Sequence, residues 1–288
     1  MFGNWYAYNG SMARQTYSSN LTGREWAILQ AVMPPLSGRG RRRSWPATEI
    51  LNAIFYVLRS GCAWRFLPVD FPPWQTVYYH YRQMRRSGVW EQINTRLRSQ
   101  VRVDVGRSAQ PSGAIIDSQS AKTTEHGGPR GDDGGKRISG RKRHVLVDTM
   151  GLLLKVVVHP GNLHDRQGGK LLVNAVRGQF PRLAHIWADQ GYTGEFKRWA
   201  SKELGVELEV VDPWWRQLQR YAPELLEQAG FQPGFHVLPR RWVVERTFAW
   251  LGRNRRLSKD YETLPTTSET WCYIAMSRLM LKRLARRG

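Results

Sequence analysis

The sequence predicts an α/β protein, with an all-helical N-terminal region followed by a mixed sheet flanked by helices. Three observations lead there. Apolar residues at helical spacing, bounded by capping and stop signals, fill about residues 21–108. After Ser108-Ala-Gln-Pro-Ser-Gly113 the pattern changes to short apolar runs, two of which end in aspartate. From about Arg240 the helical period returns. The order strand, hairpin, helix, strand, helix, strand, helices combines an antiparallel pair with parallel-type crossovers.

Each element follows from local signals. Residues 1–20 are polar and aromatic without period and read as an arm. Thr22-Gly-Arg-Glu25 is a capping box that opens a helix running to about Met33, where Pro34-Pro35 stops it. A loop with Arg39, Arg41, Arg42 and Arg43 follows. Pro46 starts a second helix with Ile50, Leu51, Ile54, Phe55 and Leu58 on one face and Gly61 as its C-cap. A third helix, about Trp74 to Arg86, carries Tyr78, Tyr79, Tyr81, Arg82, Arg85 and Arg86. Gly88 separates it from a fourth, about Val89 to Val101. These helices read as a helix-turn-helix-like DNA-binding region or as a packing domain with a solvated basic face.

Ala114-Ile-Ile-Asp117 is a short buried strand. A glycine-rich charged loop spans Gly127 to Gly140, and the strands Arg143 to Thr149 and Leu152 to Val158 flank the turn Met150-Gly151. Asp165 to Arg177 is a helix, Ala184 to Asp189 a strand, Phe196 to Leu204 a helix and Val206 to Val211 a strand. The last amphipathic helix covers about Thr267 to Arg287. The expected organisation is an arm (1–20), a helical DNA-binding domain (21–108), a catalytic domain (109–265, with a short insertion at about 212–240) and a C-terminal helix (266–288).

Composition narrows the function. Lys+Arg number 44 against 23 Asp+Glu, a formal charge of +21, more than solubility needs, so a polyanionic partner is expected. Disorder is an unsuitable explanation for a chain with 13 Trp, 11 Tyr and 9 Phe. The longest apolar stretch, Gly151 to Gly161, is interrupted by Lys155 and too short to span a bilayer. No signal-peptide pattern opens the sequence, and Cys62 and Cys272 read as two reduced thiols, so a cytoplasmic setting is expected. With no basic amphipathic anchor in view, nucleic acid is preferred to a membrane. Residues 1–110 hold 15 Arg, no Lys and 5 acids, and arginine suits forked contacts to phosphate and guanine.

Asp117 and Asp189 end two strands, where open α/β sheets place their ligands. Either alone reads as a turn or cap residue, but two held close would repel unless a cation neutralised them. In Arg240-Arg-Trp-Val-Val-Glu245-Arg-Thr-Phe the period is helical. Arg241 lies about 40° and Arg256 about 20° from Glu245 if the helix persists. That face reads either as a surface ion-pair series or as a metal-binding acid beside phosphate-gripping arginines. Lys136, Arg137, Arg141, Lys142 and Arg143 read as a glycine-loosened phosphate-contacting loop. Asp148 reads as a turn residue. His164 and Asp165 read as N-cap residues or as support for the site, and Trp214-Trp215 as a small hydrophobic cluster or a base-stacking insertion.

Five segments together resemble the DDE transposases of the bacterial insertion-sequence-five family. They are Ile116-Asp117-Ser118-Gln119-Ser120, Arg141-Lys-Arg-His144-Val-Leu-Val-Asp148, Gly161-Asn-Leu-His-Asp165, Ala188-Asp189-Gln-Gly-Tyr192 and Arg241-Trp-Val-Val-Glu245-Arg-Thr-Phe. They occur in the family's order across about Leu21 to Tyr261. The resemblance implies an RNase H-like catalytic domain with Asp117, Asp189 and Glu245 as catalytic residues and metal ligands. Related transposases carry a tyrosine where Leu238 stands and a base where Gly252 stands; Arg253, Arg256 and Lys259 are the substitutes in reach.

What the resemblance implies chemically is phosphoryl transfer with two Mg²⁺ (or Mn²⁺) ions, Asp117 bridging both and Asp189 and Glu245 each holding one. Water would attack at the element end, and the 3′-hydroxyl so released would attack target DNA. The expected partners are double-stranded DNA, as terminal inverted repeats and as target, and a second copy of the chain. Arg82, Arg85 and Arg86 would read the repeats, with Arg41, Arg42 and Arg43 on the backbone and Arg241 beside the acids. A sequence-specific DNA-binding protein without catalysis and an RNase H-like nuclease that cuts without joining are the alternatives.

Overall fold

The structure is a computed structural model in which residues 16–34, 45–211, 224–225 and 241–287 are described. Arg41, Arg42, Arg43, Trp214 and Trp215 lie outside those residues.

Four helices come first. α1 (Gly23–Val32) starts at the predicted capping box, with Thr22 Oγ1 accepting from the Glu25 N–H at 3.2 Å and Glu25 Oε2 accepting from the Thr22 N–H at 2.9 Å. α2 (Ala47–Ser60) follows Pro46, and α3 (Trp74–Arg86) and α4 (Val89–Asp104) are separated by Ser87 and Gly88. The strands are β1 (Gly113–Lys122), β2 (Gly131–Asp133), β3 (Ile138–Asp148), β4 (Leu153–Pro160), β5 (His185–Ala188) and β6 (Glu207–Val210). Between them lie α5 (Asp165–Val176) and α6 (Glu195–Leu204), and after them α7 (Arg241–Gly252) and α8 (Pro265–Arg287).

The strand order is β4-β3-β1-β5-β6. β3 is antiparallel to both β1 and β4, whereas β5 is parallel to β1 and β6 to β5. β2 continues the β4 edge of β3, since Gly140 faces Lys122 on one side and Gly131 on the other. Three antiparallel strands continued by two parallel ones, with β1 central, is the RNase H-like topology. Asp148 acts as the predicted turn residue: its Oδ1 accepts from the N–H groups of Met150 and Leu152 at the β3–β4 hairpin.

Strand alternation divides the core between two faces. Ile115, Val145 and Val147 point to one, which is covered by α1–α4, α7 and α8. Ala114, Ile116 and Leu146 point to the other, which is covered by α5 and α6 through Leu172, Val173, Phe196 and Ala200. The N-terminal helices therefore share one core with the sheet. α8 is the reason: its buried residues include Trp271, Cys272, Ile274, Met276 and Leu281, apolar around its circumference, so it needs partners on every side. Trp271 stacks on Tyr81 and Trp64 at ring separations of 4.9 and 5.8 Å, and α8 also packs on α4 and β4. Polar groups cross the same junction. Arg98 donates to the Leu153 carbonyl at 3.0 Å, and Arg102 pairs with buried Asp148 at 2.5 Å. No described helix is long and apolar enough to cross a membrane.

Candidate active site

Asp117 does not end its strand as the short apolar run suggested: β1 continues past it to Lys122, because Ser118 to Lys122 go on pairing with β3, so Asp117 lies mid-strand while Asp189 directly follows β5. β1 and β5 pair as Gly113↔His185, Ala114↔Ile186 and Ile115↔Trp187, and continuing that offset past the end of β5 brings Asp189 alongside Asp117. Adjacent strands are about 4.8 Å apart, and in-register residues on parallel strands face the same way. The parity of Ile115 turns Asp117 toward the face that α7 covers. The electrostatics agree. Burial, followed by the charge of Asp189, pushes the Asp117 carboxyl up to about 7, against the opposing pull of Arg241 and Lys136. Its Oδ1 accepts from the Ser118 N–H at 2.7 Å, while Asp189 Oδ1 accepts from the Gly191 N–H at 2.8 Å.

α7 brings the third element. Val243, Val244 and Phe248 anchor it in the core, and Arg241 in its first turn comes within 3.9 Å of Asp189 Oδ2. Glu245, one turn further along the same face, is exposed. Among the described residues no three His, Cys, Asp or Glu side chains converge into a metal-binding set. Asp117 and Asp189 are thus brought together, with Glu245 on the adjoining helix. The donor chemistry fits a hard divalent cation: two crowded carboxylates, one already resisting ionisation, gain from a positive charge between them.

A second polar layer surrounds the pair. Asp165, the first residue of α5, accepts from Ser118 Oγ at 2.9 Å and from Lys142 Nζ at 3.2 Å, which ties it to the residue after Asp117, while His164 makes no side-chain cap. Burial raises the Asp165 carboxyl, but those two partners outweigh it and hold it below the usual range. Asp133 behaves likewise: burial raises it, and the Ser120 hydroxyl at 2.5 Å with Lys142 at 3.6 Å brings it down. Asp133 carries no sequence signal beyond lying in a charged loop.

Across the sheet from Asp117 runs a buried chain of three rings. His159 Nδ1 is 2.9 Å from the Pro160 carbonyl, which can only accept, so Nδ1 carries the proton and Nε2 is bare. His144 Nδ1, 2.8 Å from that Nε2, must then donate, which leaves its own Nε2 bare for the Tyr192 hydroxyl at 2.6 Å. The directions are fixed end to end only while both imidazoles are neutral. Burial depresses both, His144 to about 3 with a further push from His159. Gly168 of α5 lies against the two rings: a Cβ there would come within 2.3 Å of His159 Nε2 and 2.6 Å of His144. The signal for His159 was a lone histidine inside an apolar strand.

Three expected nucleic-acid contacts require correction. Arg141, Lys142 and Arg143 belong to β3, and their exposures are 0%, 6% and 1%. Arg141 donates to the carbonyls of Pro129, Glu262 and Thr263 and faces Asp260, while Arg143 donates to those of Leu257 and Lys259. Alternation sends Lys142 the other way, to Asp165 and Asp133. These side chains tie the α7–α8 connection and α5 to the sheet and have no free face for phosphate. Arg256 also differs from expectation. α7 ends at Gly252, so the extrapolated helical angle does not apply, and the guanidinium is taken up by Glu262 at 2.5 Å above Trp271. Lys136, Arg137, Arg253 and Lys259 are exposed, as are Arg82 and Arg86 on α3, while Arg85 is half-buried and donates to Thr266 at 3.0 Å.

Comparison with known proteins agrees with this architecture. Residues 108–280 match the family profile described as the transposase DDE domain, and residues 21–94 match a profile for transposases of the IS4/5 family. A transposase assigned to insertion sequence element IS402 of Burkholderia cepacia is 30% identical over 132 residues, 43% of this chain and 54% of that protein. The chain thus aligns with about half the length of that relative. Among solved structures, a pre-cleavage Mos1 transpososome is 12% identical over 87% of this chain and 82% of that one, with a TM-score of 0.24. The Mos1 strand transfer complex gives 12% identity, 86% and 80% coverage and a TM-score of 0.24. Overlays that weak add nothing to the topology already described. With the DDE profile spanning more than half of its length, the chain belongs to the DDE transposase family, and its N-terminal helices carry the sequence signature of the IS4/5 type.

Proposed function

We propose that this protein is the transposase of a bacterial insertion sequence, which binds the element's terminal inverted repeats, cleaves at its ends and joins them to target DNA. The observation that carries the reading is the closeness of Asp117, within β1, to Asp189, directly after the neighbouring parallel β5, with the Asp117 carboxyl raised to about 7 by burial and then by Asp189. Such a pair is costly to hold empty and suited to a cation. Asp117, Asp189 and Glu245 are the proposed ligands for two Mg²⁺ or Mn²⁺ ions. Bound cations would supply Lewis acidity at the scissile phosphate and stabilise the oxygen that leaves. The chain's own residues prepare that position. Arg241 stands beside Asp189 to meet phosphate oxygens, and the Gly191 N–H and Ser118 N–H fix the two carboxylates.

End recognition falls to the helical region, where α3 presents Arg82 and Arg86 outward, with Arg85 at its edge and Arg41, Arg42 and Arg43 as further backbone contacts. The +21 charge favours binding to duplex DNA in the bacterial cytoplasm, and pairing two ends calls for at least a dimer.

The test is to incubate purified protein with labelled end DNA, a target plasmid and Mg²⁺. Joined product is expected from the wild type. Asp117→Asn should abolish cleavage and joining but leave binding to the ends intact. Cleavage without joining would identify a nuclease, and a mobility shift without cleavage a binding protein.

A further inference from the structure

A basic cleft lies away from both α3 and the acids. It is a cavity of about 540 Å³ where α2, the end of α7 and α8 meet, lined by Arg59, Arg253, Arg278, Lys282, Arg283 and Arg286. Its floor is apolar, with Phe55, Leu58 and Trp250. Four of the cations come from α8, where 278, 282 and 286 recur every fourth residue and so lie along one stripe. The rise from 278 to 286 is about 12 Å.

Arg278 is itself buried and taken up by Glu25 at 2.7 Å and by the Asn20 carbonyl at 2.9 Å, whereas the other cations have little compensation beyond the attraction of Asp148 on Arg283 from a distance. The Arg59 guanidinium donates to the Arg253 carbonyl, which brings one more cation to the rim. Arg283 rests on the Trp250 ring at 4.4 Å, and Arg246 on the same ring at 4.8 Å. The Lys282 ammonium is depressed by burial and then by Arg278, with Arg59 and Arg286 adding to it against the pull of Glu25, so the cations repel one another. An anion seated in the cleft would relieve that repulsion.

We propose that this cleft seats the sugar-phosphate backbone of duplex DNA, as a second contact surface separate from α3. The proposal rests on the reading that the protein acts on DNA. The exposed cations Arg59, Arg253, Lys282 and Arg286, drawn from three helices or their ends, are more than one orthophosphate needs and suit a run of phosphates. Guanidiniums laid on an aromatic floor give the forked donors that phosphate oxygens accept.

The test is fluorescence anisotropy with a labelled duplex of about 30 base pairs over a KCl series, using wild type and Lys282→Ala/Arg286→Ala. Both side chains are exposed, so the fold should hold, and thermal melting checks it. Lys282→Gln/Arg286→Gln serves as a second variant. Loss of two phosphate contacts should reduce the slope of log Kd against log[KCl] by about 2 and weaken binding roughly tenfold or more at low salt. An unchanged slope, with wild type still binding steeply, overturns the cleft and leaves the DNA reading standing. A wild type that does not bind duplex overturns both. A melting shift with inorganic phosphate that both variants lose, with duplex slopes unaltered, marks a small-anion site and overturns the proposal. So does binding of polyglutamate that depends on these residues while duplex binding does not.

Discussion

Replacing Asp117 by asparagine should stabilise the metal-free protein, and by an amount that depends on pH. The carboxyl is raised from its ordinary 3.8 to about 7 by burial and by Asp189. A group whose folded-state pKa is raised contributes nothing unfavourable below its unfolded value, and folding loses stability as pH rises from there to the folded value. At about 1.4 kcal/mol per pH unit, the full penalty is about 4 kcal/mol or slightly more above pH 8. Asparagine cannot ionise and avoids it. Its own packing and hydrogen-bond changes are independent of pH, so the difference between two pH values isolates the charge. The stability of Asp117→Asn relative to wild type should rise by about 2–3 kcal/mol between pH 5 and pH 8. Urea denaturation in EDTA at the two pH values measures it. Adding Mg²⁺ at pH 8 should narrow the gap by stabilising wild type alone. A relative stability that is flat with pH, or that moves the other way, would refute the account of the crowded pair.

Other consequences are simpler to read. Tyr192→Phe removes the only donor that the buried chain offers to His144 Nε2, and should cost about 1–3 kcal/mol in chemical denaturation, with both imidazoles still in place. Gly168→Ala drives a methyl to 2.3 Å from His159 Nε2, so it should destabilise by more than about 2 kcal/mol; a melting temperature equal to wild type would show that the helix can retreat. Asp148→Asn leaves buried Arg102 without its ion pair and weakens the hairpin turn, and a loss of about 3–5 kcal/mol is expected from the same denaturation series.

Much of this protein was legible locally. The Thr22–Glu25 capping box, the stop before Gly88, the β3–β4 hairpin around Met150-Gly151 and the aspartate after β5 all depend on residues a few positions apart, and each is found where the spacing predicts, whereas β1 runs on past Asp117 to Lys122. The surplus of positive charge is likewise a property of the chain as written. Two features misled. Gly127 to Gly140 suggested that the basic run after it was a loose loop, yet β3 begins at Ile138, and alternation then buries Arg141 and Arg143 on one face and Lys142 on the other. Helical extrapolation past Gly252 placed Arg256 beside Glu245, whereas the helix stops there.

The sequence by itself determined the kinds of element, their order and which two aspartates sit on or next to the strands. Capping, period and turn chemistry act over one or two turns of chain. Only the tertiary structure decided that Asp117 stands close to Asp189, that Tyr192, His144 and His159 share one directed set of hydrogen bonds, and that cations from α2, α7 and α8 line one cleft. Those relations join residues far apart in sequence. They are set by strand register and by which faces the core buries, and a pKa or an uncompensated charge exists only once those faces have met.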